Sequence, residues 1–172
     1  MFTAVTTSPK DTGFTLFSSS TQVFKHLPHH LSLDYLRGLT WSVSTSSFNA
    51  TVLRGLPLVA DHPTTGQPCL RYHEPWPQSK TKFEQTLVEI ENADDTNDDA
   101  NEGPGLGLDL ALGRDGKAVC EALDGLLHDR RVVYYHAWEK GDLLVSDNIL
   151  AMHTRSDFTA GCDRELWRKH FD

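Results

Sequence analysis

His153 closes the run "GDLLVSDNILAMH" that starts at Gly141, and two arginines, Arg164 and Arg168, follow it in "DRELWRKHF". An imidazole placed after an apolar strand is a nitrogen donor suited to iron, zinc or copper. A guanidinium is a planar double donor that matches a carboxylate. Together the three residues have the chemistry of one end of a metal site with its anion clamp. A metal needs more than one protein donor, so further His, Asp or Glu residues must come from elsewhere in the fold.

The elements that must position these residues are largely strands. "GFTLFSSS" (Gly13 to Ser20) predicts a short strand, after which Ser18, Ser19 or Ser20 caps a helix beginning near Thr21. "TQVFKHLPHHLSLDYLRGL" has helical spacing in two pieces divided at Pro28. Val23, Phe24 and Leu27 line one face, Leu33, Leu36 and Leu39 continue it, and Gly38 suits the end. "TWSVSTSSF" and "ATVLRGLPLVA" predict strands. "DHPTTGQP" is a turn cluster leading to "CLRYHEPW", so the two flanking runs form an antiparallel hairpin. "GKAVCEALDGLLHD" is helical, with Val119, Leu123, Leu126 and Leu127 on its apolar face. "RVVYYHAWEKGDLLVSDN" holds two strands joined at Glu139-Lys140-Gly141-Asp142, "ILAMHTRSDF" another, and "ELWRKHF" the last. Alternation puts Arg164, Leu166 and Arg168 on one face of that last strand and Glu165, Trp167 and Lys169 on the other. Antiparallel strands with helices to one side predict a mainly β fold with flanking helices (α+β), a jelly roll or related sandwich.

At 172 residues the chain fits one domain, residues 1–172. Its net charge of −8 argues against a nucleic-acid partner, which needs clustered Lys and Arg. No apolar run is long enough for a membrane span, and "MFTAVTTSPKDTGF" has no secretory pattern. Cys69, Cys120 and Cys162 are odd in number and form no C-x-x-C pair, which fits reduced thiols and a cytoplasmic location. The sequon at Asn49-Ala50-Thr51 is then idle. "IENADDTNDDANEGPGLG" carries six acids and almost nothing apolar after Ile90. Residues 92–105 are therefore expected to form a solvated, flexible acidic loop. The stretch lacks the glycine position of a calcium loop, and Gly103, Gly105 and Gly107 follow no strand, so neither an EF-hand nor a dinucleotide fingerprint is expected.

Gly141-Asp142, Asp147-Asn148 and His153, followed by Arg164 and Arg168, resemble the C-terminal half of the taurine dioxygenase (TauD/TfdA-like) family. "LPLVADHPTTGQPCLRYHE" is similar to the family's hairpin ahead of its late helix, and "DTGFTLFSSS" to its Gly-x-Thr-x-Phe/Trp segment. The resemblance runs from about Asp11 to Phe171, apart from the acidic stretch. It implies a partial double-stranded β-helix and an Fe(II), 2-oxoglutarate-dependent oxygenase acting on a small organic substrate. It implies that His153 is the distal iron ligand, that Arg164 and Thr15 hold the far carboxylate of 2-oxoglutarate, and that Arg168 meets an anionic substrate group.

The family's other two iron ligands form a His-x-Asp or His-x-Glu pair upstream of the Gly-x-Thr segment, and here Thr15 is already close to Met1. A domain short at its N-terminal side is expected, and the lone His170-Phe171-Asp172 stands at the wrong end of the order. His73, Glu74 and His136 are the remaining candidate donors. His73 is also a candidate substrate contact and His136 equally a satisfied core histidine; Trp41 and Trp138 are expected in the core. Two functions stay open. One is an oxygenase that recruits its missing ligands. The other is a non-catalytic or metal-independent member serving as partner subunit or small-molecule binder. Missing early strands imply open sheet edges, covered in a homodimer or a heterodimer with a fuller homologue.

Overall fold

The computed structural model describes residues 1–7, 13–45, 52–74, 86–92, 109–156 and 165–170, with backbone only at 45, 86–89, 91–92 and 109–115. The fold mixes helix and strand (α+β) and is dominated by antiparallel sheets with few helices, as a partial double-stranded β-helix requires. Every ladder among the described residues is antiparallel. The chain divides into two compact units, Met1–His26 with Leu126–Asp172, and Leu27–Gly125.

The first unit contains β1 (Phe2–Thr6), β2 (Thr15–Ser19) and the short helix α1 (Ser20–Lys25). Its later strands are β8 (Val133–His136), β9 (Leu143–Leu144), β10 (Ala151–Arg155) and β11 (Glu165–Arg168). They form two three-stranded sheets, β11-β1-β9 and β10-β2-β8. Between the sheets, Phe2, Ala4 and Trp138 are buried and Phe17, Leu144 and Leu166 pack on them. Ser19 is the N-cap of α1, its hydroxyl accepting from the Gln22 amide at 3.3 Å, as expected for the serine run.

Two features of this unit differ from the pattern read in the sequence. β1 is the central strand of its sheet, although five residues are too few for alternation to stand out. The strands flanking Glu139–Asp142 do not pair as a hairpin: β8 joins β2 and β9 joins β1. That connection instead carries the chain from one sheet to the other. Gly141, at φ 93°, takes the left-handed conformation that the turn needs.

The second unit holds α2 (Leu33–Arg37) and strands β3 (Leu39–Thr45), β4 (Val52–Pro57), β5 (Val59–Asp61), β6 (Pro68–Leu70) and β7 (Thr86–Asn92). α3 (Asp109–Leu127) belongs to it up to Gly125. The sheet order is β4-β3-β7, and β5-β6 form the expected hairpin, although β6 stops at Leu70 and Arg71–Glu74 is not strand. The hairpin turn is held by buried His62, whose Nδ1 accepts from the amides of Thr64 and Thr65 at 3.1 and 3.2 Å. β7 was not foreseen from the sequence. It extends to Asn92, paired with Leu39, so the expected acidic loop starts inside a strand and its residues 93–105 lie outside the described residues. The anticipated apolar face of α3 is buried at Val119, Leu123, Leu126 and Leu127. Cys69 and Cys120 are free and buried; Cys162 lies outside the described residues. Among the described residues no helix is long and apolar enough to cross a membrane.

Candidate functional site

One face of the β10-β2-β8 sheet gathers the polar residues of the first unit. Directly opposed residues of antiparallel strands project to the same side. Thr15 pairs with His136 on β8 and Arg155 on β10, and Phe17 pairs with Tyr134 and His153. Phe2, from the other sheet, meets this face edge-on at both Phe17 (6.0 Å) and His153 (5.0 Å). Both imidazoles and Thr15 therefore border the apolar space between the two sheets.

His153 owes its place to the turn before β10. The Asp147 carboxylate accepts from the amides of Ile149 (2.9 Å) and Leu150 (3.1 Å), and the Asp147 carbonyl accepts from Ala151 (3.0 Å). An aspartate that caps its own turn sets the phase of the strand, so Asp147-Asn148 ahead of His153 has a local structural reason. The His153 ring is half-buried. Arg168 Nη1 donates towards its Nε2 at 3.5 Å, and the Arg168 guanidinium stands 6.0 Å from the Phe2 ring. Burial first, then the positive charges of Arg168, His170 and the N-terminus, push the imidazole below its usual pKa. Leu166 and Arg168 share one side of β11, Leu166 packed on the core and Arg168 exposed at its rim, while Glu165 and Trp167 are exposed on the other side, as the alternation required.

Thr15 is buried, and its Oγ1 accepts the indole N–H of buried Trp138 at 2.7 Å. Trp138 in turn stands perpendicular to His136 at 4.3 Å. His136 Nε2 comes within 3.2 Å of Asp142 Oδ2 without hydrogen-bond geometry, and its Nδ1 lies 3.1 Å from the Tyr134 hydroxyl. Asp142 is committed to the turn, accepting from the Glu139 amide through its side chain and from the Thr3 hydroxyl through its carbonyl. The Trp138–Thr15 and His136–Asp142 contacts were not foreseen from sequence.

Thr15, His153 and Arg168 thus belong to one unit and border one interior. Arg164 lies outside the described residues. His73 belongs to the second unit, exposed, with Nδ1 2.7 Å from the Glu74 carbonyl oxygen. That unit has its own half-buried polar pair. The Tyr72 hydroxyl donates to Asp124 at 2.9 Å, and burial, then the neighbouring Cys120 and Asp124, push its pKa far up. Burial likewise raises the Cys120 thiol, which leaves it a poor nucleophile.

As a metal site the described donors are insufficient. His153 Nε2, the lone pair a metal would need, faces a guanidinium. No three of His, Cys, Asp or Glu gather where they could hold a metal ion among the described residues. The Thr15 hydroxyl accepts from Trp138 and keeps its own proton to donate.

The family model for taurine catabolism dioxygenase TauD, TfdA family, matches residues 1–169. The chain belongs to the TauD/TfdA family. This is a family of Fe(II)/2-oxoglutarate dioxygenases, and the family fold accounts for the paired sheets of the first unit. The chain is 40% identical over 171 residues to isocyanide synthase xanB of Aspergillus fumigatus, covering 99% of this chain and 20% of that protein. It is 37% identical over 177 residues to isocyanide synthase A of the same organism, covering 99% and 26%. The chain thus spans a fifth to a quarter of the length of these curated relatives. Among solved structures it is similar to PvcB of Pseudomonas aeruginosa, with TM-score 0.61 and 22% identity, over 96% of this chain and 48% of that one. At that identity the likeness concerns the fold.

Proposed function

We propose that this chain is the small-molecule-binding part of a TauD/TfdA site and acts with a partner, rather than as a self-sufficient iron oxygenase. The observation that carries this is the environment of His153, whose Nε2 faces Arg168, with no group of three His, Cys, Asp or Glu placed to hold a metal ion among the described residues. In this reading Thr15 and Arg164 bind a carboxylate such as that of 2-oxoglutarate, and Arg168 meets the substrate. The two relatives named isocyanide synthases point to a small isocyanide-bearing molecule, or its precursor, as the substrate class. The site is proposed to work in the cytoplasm.

The second reading is favoured by the family match itself. His153 would be one of the iron ligands of a complete oxygenase, the others coming from His136 or a partner chain. Iron, when bound, would supply the oxidising chemistry, while this chain would orient the small molecule and shield it from water.

Anaerobic calorimetric titration with Fe(II) or Mn(II) decides between the readings. The chain alone is expected to bind weakly, because one imidazole offers little chelation. Tight stoichiometric binding lost in His153→Ala would favour the oxygenase; tight binding that survives it would place the metal elsewhere.

A further inference from the structure

We infer that Trp138 is a positioning residue that orients the Thr15 hydroxyl so that its proton is presented to an anionic ligand. The inference rests on the proposal that Thr15 binds a carboxylate. A threonine hydroxyl carries one proton and can also accept, so by itself it welcomes donors and acceptors alike. An indole N–H only donates. With Trp138 Nε1 at 2.7 Å, one of the two lone pairs of Thr15 Oγ1 is taken, and the hydroxyl proton is turned away from the indole, towards a ligand. A carboxylate oxygen satisfies that proton, whereas an ammonium or amide N–H would use only the second lone pair and leave the proton unmet.

The arrangement is rigid. Thr15 is anchored between β8 and β10, and Trp138 is buried against Phe2 and His136. The indole follows directly on β8, whose His136 pairs with Thr15, so one strand sets both partners. Arg155, opposite Thr15 on β10, adds a cation to the same row of the sheet.

The test titrates the full chain with 2-oxoglutarate, without metal, and follows binding by calorimetry and by the indole N–H resonances of ¹⁵N-labelled protein. Thr15→Val should weaken binding about tenfold or more, the worth of a hydrogen bond to a charged acceptor. Trp138→Phe should weaken it at least about threefold, and the double variant should be no weaker than Thr15→Val alone, because both changes remove one unit. The Trp138 indole N–H resonance should move on titration, lose that response in Thr15→Val and regain it in Thr15→Ser. No binding to the wild-type chain, or unchanged affinity in Thr15→Val, would overturn the underlying reading of Thr15. Weakened binding in Thr15→Val with wild-type affinity in Trp138→Phe would overturn the inference alone. If Trp138→Phe fails to fold, the resonance decides: an indole signal indifferent to ligand while Thr15→Val lowers affinity would sink it.

Discussion

At the scale of single residues, the site is governed by what surrounds each polar atom. His153 is held neutral by burial and neighbouring cations, so its lone pair serves as acceptor for Arg168. Arg164, named from the sequence alone, carries a direct test. Arg164→Lys should weaken 2-oxoglutarate binding, because an ammonium cannot reproduce the paired donors of a guanidinium; unchanged affinity in calorimetry would remove Arg164 from the site. Asp129 offers a pH test on the same unit. Hydrogen bonds from the Arg131 side chain, then its amide, hold the Asp129 carboxyl down to about 2 from an ordinary 3.8. With the folded value lowered, the unfolded chain binds the proton more readily. The contribution to stability is therefore complete above the ordinary value and is lost as pH falls through about 2. Carbonyl-detected NMR should find the Asp129 midpoint near 2 in the wild type and closer to the ordinary value in Arg131→Ala.

At the scale of elements, two positions set how strands and helices are placed. Asp147 caps the turn that launches β10, so Asp147→Ala should cost about 1 kcal/mol, seen as a fall of about 2–4 °C in Tm. Asp147→Asn keeps a side-chain acceptor and should recover most of the loss; an unchanged Tm in Asp147→Ala would mean the cap matters little. Gly116 of α3 lies against the carbonyl of Ile90 on β7, so closely that a Cβ there would collide with backbone. Alanine in a helix is ordinarily stabilising by about 1 kcal/mol relative to glycine. Here the sign should reverse, with Gly116→Ala destabilising by about 1–3 kcal/mol in urea unfolding, because a backbone carbonyl cannot swing aside as a side chain can. A stabilised variant would show that α3 and β7 do not meet this closely.

At the scale of the whole molecule, the proposal of a partner has a structural motive. Leu143 and Trp167 both pair with Thr3, so they flank it on the side of the β11-β1-β9 sheet away from Phe2. Both are 62% exposed, and Val145 is 72% exposed. Among the described residues β9 and β11 are the outer strands of that sheet, where a partner strand would add to it. Sedimentation equilibrium at micromolar concentration should give a mass above that of one chain; a clean monomer would count heavily against a homodimer. Deleting residues 93–102 should leave Tm nearly unchanged, because so few apolar residues cannot offset the entropy of ordering. A large drop would show that the acidic stretch packs.

What the sequence by itself determined lies in short-range pattern. Alternation marked β2, β10 and β11, the turn cluster marked the β5-β6 hairpin, and helical spacing marked the buried face of α3. The Gly-Asp, Asp-Asn and His spacing marked the family. Each of these signals lies within a few residues, where backbone geometry ties side-chain direction to chain position. Tertiary structure decided the rest: β1 at the centre of a sheet, β9 parted from β8, Arg168 against His153 and Trp138 on Thr15. Trp138 and Thr15 are 123 positions apart, and no local period links them. Their meeting depends on which strands pair and in what register. That choice is made by burying Phe2, Ala4, Phe17 and Trp138 together while satisfying the backbone, a condition on the whole sandwich that no short segment carries.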